Sequence, residues 1–94
     1  MARTLFFEQI VDSRLDDGNE GELLQALKDR NKKITADLNA MGLFVTVTEP
    51  VRITWPDGYQ FRSSFAVRKG AARCTWNDVY GAINRHKAAK YRFI

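Results

Sequence analysis

The longest regular pattern of apolar positions lies between residues 20 and 41. Leu23, Leu24, Leu27, Ile34, Leu38 and Met41 recur at the spacing of one helix face and predict an amphipathic helix over Glu20–Met41. Asn19 is placed to cap it, Glu20 and Glu22 suit its first turn, and Gly42 suits a left-handed exit. Asp29–Lys33 and Lys33–Asp37 are spaced to pair along the outer face. Asn31 interrupts the apolar stripe. It is either an amide satisfied locally or the mark of a stripe whose middle faces a partner.

The pattern then changes to alternation. Leu43–Glu49 sets Leu43, Val45 and Val47 against Phe44, Thr46 and Thr48. Val51–Trp55 sets Val51, Ile53 and Trp55 against Arg52 and Thr54, which places Trp55 in the core. After the turn signal Pro56-Asp57-Gly58, Tyr59–Arg68 sets Tyr59, Phe61, Phe65 and Val67 against Gln60, Arg62, Ser64 and Arg68, with Ser63 as a polar inward member. These read as an antiparallel meander with one apolar and one polar face.

The chain ends are less regular. Thr4–Val11 fits neither period and reads as a short strand, with a helical turn as the alternative; Asp12–Gly21 reads as a polar loop. Thr75 and Asp78 form a capping box ahead of a second helix, with Trp76, Val79, Tyr80 and Ile83 on its inner side and an end or departure from the core near Arg85–Ala89. Gly81, within that helix, would allow close packing on the sheet. The final KYRFI is either an edge strand or a tail. The expected fold is α+β: one domain, residues 1–94, with two helices on one face of an antiparallel three- to four-stranded sheet, in the order (β)αβββα(β).

Composition narrows the function. No apolar run approaches the roughly 20 residues of a membrane span, and MARTLFFEQIVD is too short and acidic for a signal peptide, so a cytoplasmic protein is expected. Cys74 is the single cysteine and His86 the single histidine, and on a helix from Thr75 they lie too far apart for a nucleophile–base pair. No Walker loop, G-x-S-x-G or metal-ligand cluster is present, so no enzyme, cofactor, metal or small-molecule substrate is expected. Residues 1–27 hold six acids against Arg3 and Arg14, a net of −4, while residues 28–94 hold 13 bases against five acids, a net of +8. Such a split fits an RNA or DNA backbone, or an acidic protein surface, at its basic part.

Three basic groups are candidates for that contact. Lys28, Arg30, Lys32 and Lys33, with Asn31 among them, lie on the long helix. Arg52, Arg62 and Arg68 lie on the polar sheet face among Thr46, Thr48, Thr54, Gln60 and Ser64. Arg85, Lys87, Lys90 and Arg92 lie near the C-terminus beside His86, Tyr91 and Phe93. Guanidinium groups fork onto phosphates and aromatic rings stack on unpaired bases.

The order α-β-β-β-α resembles a double-stranded-RNA-binding domain. That family's glycine and lysine pair at the second helix are not matched by KGAARCTWND, so no residue carries over. The segments GELLQALKDRNKKITADLNAMG and NRHKAAKYRFI, in a small basic chain, resemble the small phage-encoded anti-CRISPR proteins that block type I-F surveillance complexes. That resemblance implies a stoichiometric inhibitor in the host bacterial cytosol, docking on a Cas protein–crRNA complex and blocking target DNA. Its lysines and arginines would meet guide phosphates or acidic Cas surface, and its acidic third would meet basic DNA grooves. The alternatives are a small nucleic-acid-binding module and a structural or oligomeric phage accessory protein.

Overall fold

The computed structural model describes residues 4–86, and the backbone of 92–93. Seven elements follow in the order β1 (Thr4–Asp12), α1 (Glu20–Ala40), β2 (Phe44–Val47), β3 (Val51–Trp55), β4 (Gly58–Arg68), α2 (Trp76–Arg85) and β5 (Arg92–Phe93). Both helices lie on one face of an antiparallel sheet, the two-layer α+β arrangement expected from the pattern.

The central strand is β4. Its whole length pairs with β1, from Thr4 opposite Arg68 to Asp12 opposite Gln60. Its other edge is shared end to end by β2, with Val47 opposite Phe65, and β3, with Val51 opposite Arg62. The three strands β2, β3 and β4 are therefore not a meander, because β2 and β3 make one interrupted row. Two residues of KYRFI, Arg92 and Phe93, pair with Ile10 and Gln9 beyond β1.

The interruption overturns one expected phase. Three residues, Thr48 to Pro50, separate the paired Val47 and Val51, whereas only Ser63 and Ser64 separate their partners Phe65 and Arg62. The extra residue is a bulge, anchored by the Thr48 N–H on the Ser64 carbonyl at 3.0 Å and the Ser64 N–H on Thr48 Oγ1 at 2.9 Å. A slip of one residue turns every following side chain to the other face. Val51, Ile53 and Trp55 consequently share the open face with Arg62 and Gln60, while Arg52 and Thr54 stand opposite Phe61 and Tyr59 on the helix side. Trp55 is not a core residue; its ring lies 4.2 Å from the Arg14 guanidinium carbon.

Local rules hold at the helix ends. The Asn19 side chain accepts from the Glu22 N–H at 2.9 Å, and Thr75 with Asp78 completes the capping box. At the end of α1, Gly42 takes φ 84°, its N–H bonds to the Asn39 carbonyl, and the Leu43 N–H reaches back to Leu38. This six-to-one closure needs a residue that enters the left-handed region without strain. The predicted Asp29–Lys33 and Lys33–Asp37 pairs are not formed. Asp29 accepts instead from Gln25 Nε2, and Asp37 meets His86 Nε2 at 2.5 Å.

The core has two apolar parts with a polar layer between them. Phe7, Ile34, Leu38, Phe65, Val67, Val79 and Ile83 form the larger part, and Val11, Leu23, Leu27 and Phe61 the smaller. Each such side chain stabilises the fold by roughly 1.5–3 kcal/mol when fully buried. Between them Gln9, Asn31 and Ser63, one from each of β1, α1 and β4, are buried together. Gln9 Nε2 donates to Asn31 Oδ1 at 2.8 Å, and Asn31 Nδ2 donates to Ser63 Oγ at 2.9 Å. Both ends of the Asn31 amide are thus engaged in this layer. Gln9 also explains the irregular pattern of β1, whose helix side runs Leu5, Phe7, Gln9, Val11 while Phe6 lies 71% exposed on the open side. Gly81 does not serve close packing, since a Cβ added there would meet nothing within 4 Å.

Two stability outcomes follow. Asn31→Leu leaves the Gln9 amide and the Ser63 hydroxyl without their partner and should lower unfolding stability by about 3 kcal/mol in urea titrations, whereas the combined Gln9→Leu, Asn31→Leu, Ser63→Ala variant should recover most of that loss. Gly81→Ala, in open space on α2, should raise stability by about 0.5–1 kcal/mol in the same measurement.

Candidate nucleic-acid interface

Helical geometry divides the cations of α1. Successive residues turn about 100°, so Lys28 and Lys32 share one flank, Arg30 lies on the opposite flank and Lys33 points away from the sheet. The flank of Lys28 and Lys32 faces the bulge between β2 and β3. Together they bound a groove of about 520 Å³, with Thr35, Ala36 and Asn39 on the helix wall and Val47, Thr48, Glu49 and Pro50 on the strand wall. Asn31 borders its floor, with both ends of its amide already engaged in the core. Neither lysine has an ion-pair partner among the described residues. The single acid on the lining is Glu49. The bulge that misleads the alternation pattern also builds this wall.

The sheet-face arginines are not brought together. Arg52, on the helix side, pairs with Glu20 at the start of α1 at 2.5 Å, hydrogen-bonds Thr54, and lies 4.5 Å from the Tyr59 ring. Arg62, on the open side, pairs with Glu8 at 2.5 Å and donates to Gln60 Oε1 at 3.4 Å. Arg68 lies 5.1 Å from the Phe44 ring at the far end of the open face. In the C-terminal group, Arg85 is exposed in the last turn of α2, which suits a helix C-terminus. Lys87, Lys90 and the Arg92 side chain lie outside the described residues.

The acidic third is folded onto bases. Glu8 meets Arg62, Glu20 meets Arg52, and Asp12 meets Arg14. The last pair is a two-pronged clasp: Arg14 Nε donates to Asp12 Oδ1 at 3.0 Å and Nη2 to Oδ2 at 2.9 Å, while Gln60 Nε2 donates to Oδ2 at 2.9 Å. Arg14 also approaches Asp57 at 3.6 Å. The polar loop after β1 forms a corner against the β3–β4 turn, with the Ser13 N–H on the Tyr59 carbonyl at 2.9 Å and the Tyr59 N–H on Ser13 Oγ at 2.8 Å. Gly58 is required there by proximity, since a Cβ would lie 2.7 Å from Ser13 Oγ. The hydrogen bonds from Arg14 hold the Asp12 carboxyl far below the usual carboxylate range, against the opposing effect of burial.

Cys74 is half-buried against the larger core, and His86 is engaged by Asp37. No group of three or more His, Cys, Asp or Glu able to hold a metal ion occurs among the described residues, and none of their helices is long and apolar enough to cross a membrane. No protein-family model matches the chain, and no curated protein matches it. The groove, and the charge left free around it, are therefore the basis for a functional assignment.

The Asp12 clasp sets an acid limit on stability. A carboxyl whose titration is depressed in the folded state contributes fully above its unfolded range, near pH 4, and loses that contribution as pH falls towards its folded range. Unfolding stability of the wild type should therefore fall steadily below about pH 4, and Asp12→Asn should lower stability at neutral pH while flattening that acid slope.

Proposed function

We propose that this chain is a non-enzymatic binding protein that seats the phosphates of a nucleic-acid strand against the α1 groove. The observation that supports this is the convergence of Lys28 and Lys32, one turn apart and without ion-pair partners among the described residues, on a groove that also offers Thr35, Asn39 and Thr48. Two flexible ammonium groups flanked by hydroxyl and amide side chains suit a phosphate backbone, whose recognition needs charge and short hydrogen bonds more than a fixed base edge. Arg52 and Arg62 are occupied by carboxylates and contribute less to such a surface.

The resemblance of GELLQALKDRNKKITADLNAMG to small phage inhibitors supplies the biological setting. The middle of that segment carries both groove lysines, Lys28 and Lys32. In that setting the protein docks on a Cas protein–crRNA surveillance complex in the bacterial cytosol, holds guide phosphates in the groove and blocks pairing with target DNA. A binder of this kind acts by occupancy, so its strength depends on salt.

The test is a mobility-shift titration at two salt concentrations, with a purified type I-F surveillance complex in one series and free single- and double-stranded nucleic acid in the other. Lys28→Glu with Lys32→Glu should weaken binding to the complex at least about tenfold and reduce the salt slope by about two, whereas Lys33→Glu should leave it nearly unchanged. Equal affinity for free strands and complex would reduce the function to a simple nucleic-acid module. Full binding by the double variant would remove the groove from the contact.

A further inference from the structure

The open face of the sheet is a second surface, unlike the groove. Phe6, Phe44 and Val51 stand on it at 71%, 58% and 58% exposure, and no described helix packs over them. Towards Gly58 the same face is closed over Ile10, Asp12 and Gln60, which are buried, so the open part is the stretch that holds these three apolar side chains, and such a patch marks an interaction site. The charge there is nearly spent. Glu8 and Arg62 neutralise one another, and Arg14 is held by Asp12. A polyanion gains little from such a face, whereas an apolar surface of matched charge gains much.

The register shows which surface matches. Across the open face, Phe44 and Arg68 lie side by side at one end, and Trp55 lies opposite Gly58 at the other, next to Asp57 in the turn. Asp57 is 70% exposed in its side chain and lies 3.6 Å from Arg14, which also covers the Trp55 ring; with Arg14 shared between Asp12 and Asp57, this end keeps one net negative charge. Halfway between these ends sits the Glu8–Arg62 pair. Polar centre, cation with aromatic at one end, anion with aromatic at the other: a two-fold axis crossing the strands at the centre maps each end onto its complement.

We infer that the open face is a homodimer interface, with a second copy of this chain packed sheet to sheet about that axis. Arg68 and Phe44 of each copy then face Asp57 and Trp55 of the other, and Glu8 of each approaches Arg62 of the other. Such isologous contacts are made twice, so one favourable pairing counts double. Face-to-face sheets pack about 10 Å apart with side chains from both filling the space. A face about 35 Å long and three strands wide buries roughly 1,000 Å² between two copies, at the lower limit for a specific interface, which makes a dissociating dimer. Both α1 grooves point outward and stay open.

Sedimentation equilibrium of the purified chain, with no partner present, tests this separately from the groove. The apparent mass should rise from one copy to two across the micromolar range. Arg68→Glu and Asp57→Arg should each weaken self-association at least about tenfold, because each sets like charges opposite one another twice. An equimolar mixture of those two variants should regain association, since every crossed contact in the mixed pair is again between opposite charges. Phe44→Asp, checked for intact fold by circular dichroism, should remain monomeric. A monomeric mass throughout, association unchanged by either charge reversal, or a mixture that stays monomeric would overturn the inference. So would a monomeric wild type whose nucleic-acid or surveillance-complex binding is lost in Phe44→Asp, which would give the face to another partner.

Discussion

The buried layer of Gln9, Asn31 and Ser63 ties the two halves of the core to a single arrangement of β1, α1 and β4. Apolar contacts alone would let a helix slide along a sheet, trading one leucine for another at small cost. Amides and a hydroxyl do not permit that exchange, because any shift strands a buried donor or acceptor. The stabilisation is modest, but the specificity is high. It also places the candidate site. With Asn31 held over Ser63, Lys28 and Lys32 are held beside the bulge, one on each side of the fixed residue along the helix. The groove's cationic wall therefore depends on a contact inside the core.

The features legible in the sequence are those decided within a few residues. Helix caps at Asn19 and Thr75, the left-handed exit at Gly42 and the inward stripe of α1 are all local, and all are formed as expected. Features decided by a distant partner were not legible. Asn31 and Ser63 each stood out as polar members of apolar stripes, yet their pairing spans 32 positions and has no local mark. The phase of β3 is hidden for the same reason: Val51, Ile53 and Trp55 alternate regularly, but which face they take is set by the count of residues opposite, on β4. The regrouping of the basic residues had a readable signal, since the helical turn angle separates Lys28 and Lys32 from Arg30 and Lys33 without any structure.

The charge split along the chain loses most of its meaning once folded. Acids of the first third and bases of the remainder are placed against each other, so the sequence-level dipole is partly consumed in holding β1 and α1 to the sheet. Pairs exposed in this way contribute little stability individually. Their effect is to decide which cations remain available. The Lys28–Lys32 flank and the exposed end of α2 keep their charge, and the middle of the open face does not.

The bulge at Thr48–Pro50 has one more effect, on the outer margin of the sheet. An unbroken strand there would present a continuous row of unpaired backbone groups, the template on which other chains add strands and fibrils grow. Here the row is cut into runs of four and five residues, with Pro50 supplying no donor at the join. Lateral growth by β-addition is thereby discouraged at this edge. A small, partly apolar chain can in this way stay out of aggregates while keeping a broad sheet surface uncovered.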